Sequence, residues 1–288
     1  MKKSFHIIGA GRVGQTVARL LQQSGRWRLA QVCGGHKAAM LADRCGGENV
    51  PSIRQLSAAE VVWITTPDNV IAEVAAEVAR LSWLVPDTLV LHCSGAKSTA
   101  ELAPLAARGV KTGSLHPVFA FADVEAAVAA LPGSLCALEA DKGESMAVLQ
   151  QIASDLNLQP FSLPSEHKAR YHAALSAASN FSVALAAYAQ NLLEPLGLPE
   201  ALSRALVAGL MAQSIRNLAA LSAEQALTGP IVRGDDGTVA AHLAALSADE
   251  QAAYRAWARQ TLALAAPRLE RDALMKLAVL LYGGKNLL

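Results

Sequence analysis

The chain has 288 residues, 52% of them hydrophobic, 17% charged and 5% aromatic, with a formal net charge of +1. An apolar fraction this high excludes a disordered chain. Basic and acidic residues balance along the chain, 14 and 14 before position 161 and 11 and 10 after it. That balance leaves no electrostatic footprint for nucleic acid. The length suits one large or two modest domains, and alanine, the best helix former, makes up about a fifth of the chain.

Cys33, Cys45, Cys93 and Cys136 show no CxxC pair and no metal-ligand spacing, which fits free thiols in a reducing compartment. No His/Asp/Glu cluster has ligand spacing either, so no metal is expected. The apolar run behind Lys2 and Lys3 covers only residues 5–10, too short for a signal peptide. Residues 171–193 are uncharged but carry Ser176, Ser179, Asn180 and Ser182, a poor lipid-facing surface and a good buried one. A soluble, cytoplasmic protein is the expectation.

Short β-rich runs at 5–8, 28–33, 61–65, 88–92, 110–114, 135–139 and 159–163 alternate with helical stretches at 13–23, 37–44, 71–81, 99–108 and 144–155. Repeated β-α-β units predict a doubly wound, mainly parallel sheet with helices on both faces. After Pro160 and Pro164 no run reads as a strand, and long Ala/Leu helices follow, broken at 195–199 and 228–237. An α/β domain over residues 1–163 and an all-α domain over 164–288 are therefore expected.

Gly9-Ala10-Gly11-Arg12-Val13-Gly14 follows the first strand and opens the first helix. In that frame Gly9 permits the tight turn, Gly11 admits a pyrophosphate, and Gly14 lets helix and strand pack closely. The N–H groups of Arg12 and Val13 then belong to a helix N-terminus suited to phosphate. An NAD site should place an acidic residue at the end of the second strand to hold the ribose 2′-hydroxyl. The chain instead reads Cys33-Gly34-Gly35-His36-Lys37, with no carboxylate before Asp43. Lys37, aided by His36, Arg12 or Arg44, suits a 2′-phosphate, so NADP is expected over NAD; alternatively Lys37 only starts a solvated helix. Thr66, Pro67 and Asp68 sit at another strand end, where they can pack on the cofactor or cap the next helix.

These motifs, with His92-Cys93-Ser94-Gly95-Ala96, Ser114-Leu115-His116-Pro117, Lys168-Ala169-Arg170-Tyr171-His172, Ser179-Asn180-Phe181, Thr228-Gly229-Pro230 and Arg233-Gly234-Asp235, resemble the 6-phosphogluconate-dehydrogenase-like reductases. Within that group the chain looks like the family that joins a Rossmann-like domain to the helical domain of unknown function 2520, over nearly its whole length. The resemblance implies a Rossmann-type N-terminal domain and an NADP-linked oxidoreductase related to pyrroline-5-carboxylate, prephenate and ketopantoate enzymes. It supplies no substrate.

Lys168, His172, Ser176 and Asn180 are spaced by four and share one helix face. A polar row on an otherwise Ala-rich helix needs partners, and a substrate is one. His172 or Lys168 could donate a proton and Asn180 orient the substrate; a hydrogen-bonded domain junction would explain the row equally well. In related hydroxyacid dehydrogenases a lysine and an asparagine on the corresponding helix act as acid and orienter, but here their interval is twelve rather than four. Ser94 and Gly95 open a helix and could bind a carboxylate or the nicotinamide ribose, or Ser94 could simply cap. His116 is a candidate substrate ligand or second acid; alternatively Pro117 beside it simply makes a rigid turn. Arg233 could grip a substrate carboxylate, or pair with Asp235 to fix its loop, with Asp236-Gly237 as an ordinary turn.

The expected function is hydride transfer between NADP and a small polar carbonyl, imine or hydroxyacid; a non-catalytic NADP sensor is the alternative. The long Ala/Leu helices at 198–221 and 251–264 carry too few charges to keep every face wet, which suggests a homodimer through the helical half.

Overall fold

A computed structural model describes residues 2–140 and 142–283. It packs as two compact units, residues 1–180 and 181–288. Residues 164–180, which the composition grouped with the helical half, belong to the first unit.

The first unit runs β1 (Lys3–Ile8), α1 (Arg12–Gln23), β2 (Trp27–Cys33), α2 (Ala38–Cys45), β3 (Glu48–Val50), β4 (Val61–Ile64), α3 (Ile71–Val78) and β5 (Leu89–His92). It continues with α4 (Ala103–Ala106), β6 (Lys111–Pro117), α5 (Val124–Ala130), β7 (Leu135–Ala140), α6 (Gly143–Asp155), β8 (Gln159–Ser162) and α7 (Lys168–Ala178). The sheet order is β3-β2-β1-β4-β5-β6-β7-β8. Strands β1 to β6 pair in parallel, β7 runs antiparallel to β6, and β8 is parallel to β7. The fold is thus a Rossmann-type, parallel-dominated sheet followed by a helical region.

Both faces of the sheet are covered, which is why its central strands read as continuous apolar runs. Phe5, Ile7, Trp63, Leu91 and Leu115 face one core with Val17, Leu21 and Ile152. Their neighbours Ile8, Val62, Ile64 and Val90 face the other, with Ile71, Val78, Leu102 and Leu105. The order reverses between β1 and β4, and such a reversal opens a crevice at the carboxyl ends of the two strands.

Three features depart from the sequence expectation. Strand β3 is a three-residue edge strand, Glu-Asn-Val, too short and polar to show alternation. Strand β7 is antiparallel because α5 returns the chain on the side where β6 ended, without crossing the sheet. The helix expected to run on past Ser179 is interrupted there (φ −107°, ψ −70°), and α8 (Asn180–Asn191) starts afresh.

The remaining helices are α9 (Glu200–Ala220), α10 (Ala223–Ala226), α11 (Asp236–Ala245), α12 (Ala248–Ala265) and α13 (Arg271–Tyr282). Val239, Leu243, Leu262, Leu277 and Leu281 form the core of this second unit. Asp236 and Gly237 begin α11 instead of making a free turn. No helix among the described residues is long and apolar enough to cross a membrane.

Candidate active site

The loop from Gly9 to Gly14 is built on contacts that no side chain could survive. Gly9 has φ +102°, and a Cβ there would lie 2.9 Å from the Thr65 carbonyl. A Cβ on Gly14 would come within 2.4 Å of the Gly9 oxygen and 2.6 Å of the Thr65 hydroxyl. That hydroxyl donates to the Gly9 carbonyl at 2.7 Å, and the Gly9 N–H donates to Cys33 at 2.8 Å. Gly11 differs: its nearest neighbour would be 4.0 Å away, so its side-chain space is open.

Gly9, Gly11, His36, Lys37, Thr66 and Pro67 line a cavity of about 540 Å³ at this crevice. No side chain caps the N-terminus of α1, and its first turn, beginning at Arg12 and Val13, holds no acidic residue. Its oriented N–H groups are therefore suited to an anion. The buried Thr66 hydroxyl has no hydrogen-bond partner among the described residues. Arg12, His36 and Lys37 are exposed and unpaired among the described residues, whereas Arg44 is drawn away to Glu125 at 2.9 Å. An open glycine cradle, an unsatisfied hydroxyl and free cations together fit a dinucleotide cofactor.

The next strand ends are occupied by an internal polar network. Ser94 donates to the Asp68 carboxylate at 2.7 Å and accepts from the Lys97 and Ala96 N–H groups at 2.9 and 3.2 Å. Its one donor and both lone pairs are taken, so its hydroxyl is a turn-former and not a free ribose or substrate ligand. Asp68 correspondingly braces Ser94 and caps no helix. His92 accepts from the Ser94 N–H through Nδ1 and donates from Nε2 to the Ser98 carbonyl, which fixes its neutral tautomer. Burial, with the Lys168 charge, pushes His92 down to about 4.

Lys168 stands at the start of α7 with its side chain 3% exposed. Its ammonium lies 2.9 Å from Glu139 Oε2 and donates to Ser114 Oγ at 2.7 Å. Glu139 Oε1 accepts from the Thr99 N–H and hydroxyl and from Ser165 Oγ, at 2.8, 2.9 and 2.6 Å. Burial raises the Glu139 carboxyl, but these hydrogen bonds and the lysine outweigh it and hold the group below its ordinary value. Burial lowers Lys168, opposed by Glu139. The lysine is bound into the sheet, and the proton-donor role read from its position on the row does not match this placement.

The rest of the row does converge. His116, Phe119, His172, Ser176 and Asn180 line a cavity of about 330 Å³ within the first unit. Among the described residues no protein group hydrogen-bonds the side chains of His172, Ser176 or Asn180, so the break at Ser179 leaves three polar groups free for a ligand. His116 is held by Tyr171, whose hydroxyl lies 2.8 Å from Nδ1. Gly95 is required beneath it, since a Cβ there would meet His116 Nε2 at 2.7 Å. Burial, then the Lys168 charge, pushes His116 down to about 4. Tyr171 and Glu139 were not among the sequence candidates; only the spacing of Tyr171 three residues after Lys168 hinted at a shared face.

Arg233 lies in the second unit on a 3-10 turn, Ile231–Arg233, exposed and without an ion pair among the described residues. Asp235 does not hold it. Its carboxylate caps α11, accepting from the Thr238 N–H and hydroxyl at 2.9 and 2.7 Å.

Residues 1–117 match the Rossmann-like domain family and residues 134–261 match the domain of unknown function DUF2520. No curated protein matches the chain. Among solved structures it is similar to a Bacteroides fragilis protein provisionally assigned as an NADP oxidoreductase, with 23% identity, a TM-score of 0.76 and coverage of 92% of this chain and 98% of that one. A Thermotoga maritima protein shares 25% identity with a TM-score of 0.66, covering 98% of this chain and 100% of that one. A Plasmodium falciparum pyrroline carboxylate reductase with NADP bound shares the fold at 11% identity, with a TM-score of 0.63 over 96% and 97% of the two chains.

The buried histidines set an acid limit on stability. His6, His92 and His116 are all lowered from 6.5, the first by burial. Below the unfolded value the unfolded chain binds protons that the folded chain refuses, so stability is full above that value and drains away toward about pH 4. His92 alone should cost on the order of 3 kcal/mol at the acid end. Urea midpoints should fall steeply between about pH 7 and about pH 4.5; a constant midpoint would contradict these burials.

Proposed function

We propose that this chain, whose residues 1–117 and 134–261 match the Rossmann-like and DUF2520 families, is an NADP-dependent oxidoreductase acting on a small polar carbonyl, imine or hydroxyacid. The observation that carries this reading is the buried, unpartnered Thr66 hydroxyl beside an open glycine cradle and an uncapped helix N-terminus. The fold shared with a reductase that was crystallised with NADP supports it. When bound, the nicotinamide supplies or accepts the hydride. Gly9, Gly11 and the first-turn N–H groups of α1 receive the pyrophosphate, Gly14 keeps helix and strand close, and Thr66 and Pro67 flank the ligand. Lys37, with His36 and Arg12, receives the 2′-phosphate.

His172 is the proton donor or acceptor in the cavity it lines with Ser176 and Asn180, which orient the reacting polar group. Lys168 is assigned to holding α7, through Glu139, and not to proton transfer. We also propose a homodimer through the helical half. The 21 residues of α9 bury only Ser203 and Val207, while Leu202, Leu206, Leu210, Ile215 and Leu218 are exposed. Light scattering at micromolar concentration should show two copies, and a monomer would oppose this.

Replacing Lys37 with Ala should weaken NADPH binding about tenfold and leave NADH unchanged. Fluorescence titration measures both constants, and a wild-type preference for NADH would refute the phosphate assignment. NADPH oxidation against a panel of 2-oxo acids and cyclic imines identifies the reaction. His172→Ala should then lower kcat about a hundredfold with little change in melting temperature. Normal turnover in that variant would remove His172 from the chemistry, whereas NADPH binding without any turnover would favour a sensor.

A further inference from the structure

His116 and Tyr171 form a pair that hydride transfer and nucleotide binding leave unexplained. Their rings meet edge to face, with centroids 5.6 Å apart, and Phe161 packs on the other side of Tyr171 at 6.1 Å. The only hydrogen-bond partner of the Tyr171 hydroxyl among the described residues is His116 Nδ1. Two arrangements satisfy that distance. If Nδ1 carried the proton and donated, the phenolic proton would be left without a protein acceptor. If the phenol donates, the contact satisfies both the phenolic proton and Nδ1, and the single imidazole proton moves to Nε2, which is left as a donor without a protein partner among the described residues.

Both groups are neutral in either arrangement, so the choice between them rests on the acceptor that the phenolic proton needs. Burial, with a contribution from Cys136, pushes the Tyr171 phenol up to about 12, so it keeps its proton. Lys168, His172, Asp68 and His92 surround His116, and burial together with the Lys168 charge outweighs Asp68 in keeping the ring neutral. A neutral imidazole with Nδ1 occupied has one remaining function, an N–H donor at Nε2. The ring sits on Gly95, whose missing side chain gives Nε2 its place, and it lines the same cavity as His172, Ser176 and Asn180.

The geometry points to Tyr171 as a positioning residue that holds His116 in the Nε2–H tautomer, so that the cavity presents a neutral donor to an oxygen or nitrogen acceptor of the substrate. The role in turnover rests on the oxidoreductase reading; the tautomer does not. A substrate recognised this way offers a lone pair at the reacting group, as a carbonyl or an imine does. His172 remains free to move the proton, so the two histidines divide polarisation and acid-base work between them.

The test compares wild-type protein and Tyr171→Phe, a change that keeps the ring packing and removes only the hydroxyl. Long-range 1H–15N spectra of 15N-histidine-labelled protein, without ligand and near neutral pH, report each ring nitrogen. We expect His116 in the wild type to carry its proton on Nε2, with Nδ1 showing the shift of a hydrogen-bond acceptor. In Tyr171→Phe that Nδ1 resonance should move toward a free, unprotonated nitrogen. A proton on Nδ1 in the wild type, or an unchanged His116 spectrum in the variant, would overturn the assignment. With a substrate from the NADPH panel, Tyr171→Phe should lose about tenfold in kcat at an unchanged melting temperature. Full activity alongside a changed spectrum would overturn the role in turnover. If the wild type oxidises NADPH with no panel member, the oxidoreductase reading fails while the spectra still decide the tautomer.

Discussion

The ion pair between Lys168 and Glu139 is the contact on which the candidate site depends. Both side chains are at most 5% exposed, and two charges removed from water are tolerated only where further hydrogen bonds saturate them. Here Glu139 Oε1 accepts three hydrogen bonds from Thr99 and Ser165, Oε2 faces the ammonium as an ion pair without a hydrogen bond of its own among the described residues, and Lys168 also donates to Ser114. Four segments are joined in this way: β6, β7, the turn after β5 and the first turn of α7. One helical turn further on, Tyr171 and His172 follow at the i+3 and i+4 positions of the same face. The polar contact that looks least like chemistry thus decides where the chemical groups stand.

The nucleotide side is organised by exclusion of side chains. The Thr65 backbone at Gly9, and the Gly9 carbonyl with the Thr65 hydroxyl at Gly14, leave no room for a Cβ, and that closeness joins β1, α1 and the Thr65 turn into one edge. At Gly11 the same freedom from a side chain faces open space. The Ser94–Asp68 bond then ties the β4 and β5 ends together, while His92 braces the turn after β5 through Ser94 and Ser98. Neutral histidines complete the design. A charged His92 or His116 beside Lys168 would place two cations together in a poorly solvated space.

Legibility in the sequence followed the kind of constraint. The glycine loop could be read because a backbone conformation or a close approach demands one residue type at one position. The central strands could be read because burial on both faces leaves no polar alternation. The row of His172, Ser176 and Asn180 was visible through its spacing of four, and those groups do line one cavity. Lys168 belonged to the same row, yet its partner Glu139 lies on a strand 29 positions earlier, and no local pattern encodes a contact across that distance. Ser94 illustrates the opposite difficulty. A serine at a strand end can serve a ligand or its own turn, and only the three partners around its hydroxyl decide. Strand β3 and the antiparallel β7 escaped because edge pairing and strand direction arise from tertiary placement.

A double-mutant cycle on the buried pair tests the central claim most directly. Glu139→Ala, Lys168→Met and the combined variant would each be unfolded in urea. Either single change strands a partner without its counter-charge and should cost about 3–5 kcal/mol, and removing both should restore a large part of that loss. Small, additive losses would mean that the pair does not anchor α7, and the placement of Tyr171 and His172 would then need another cause.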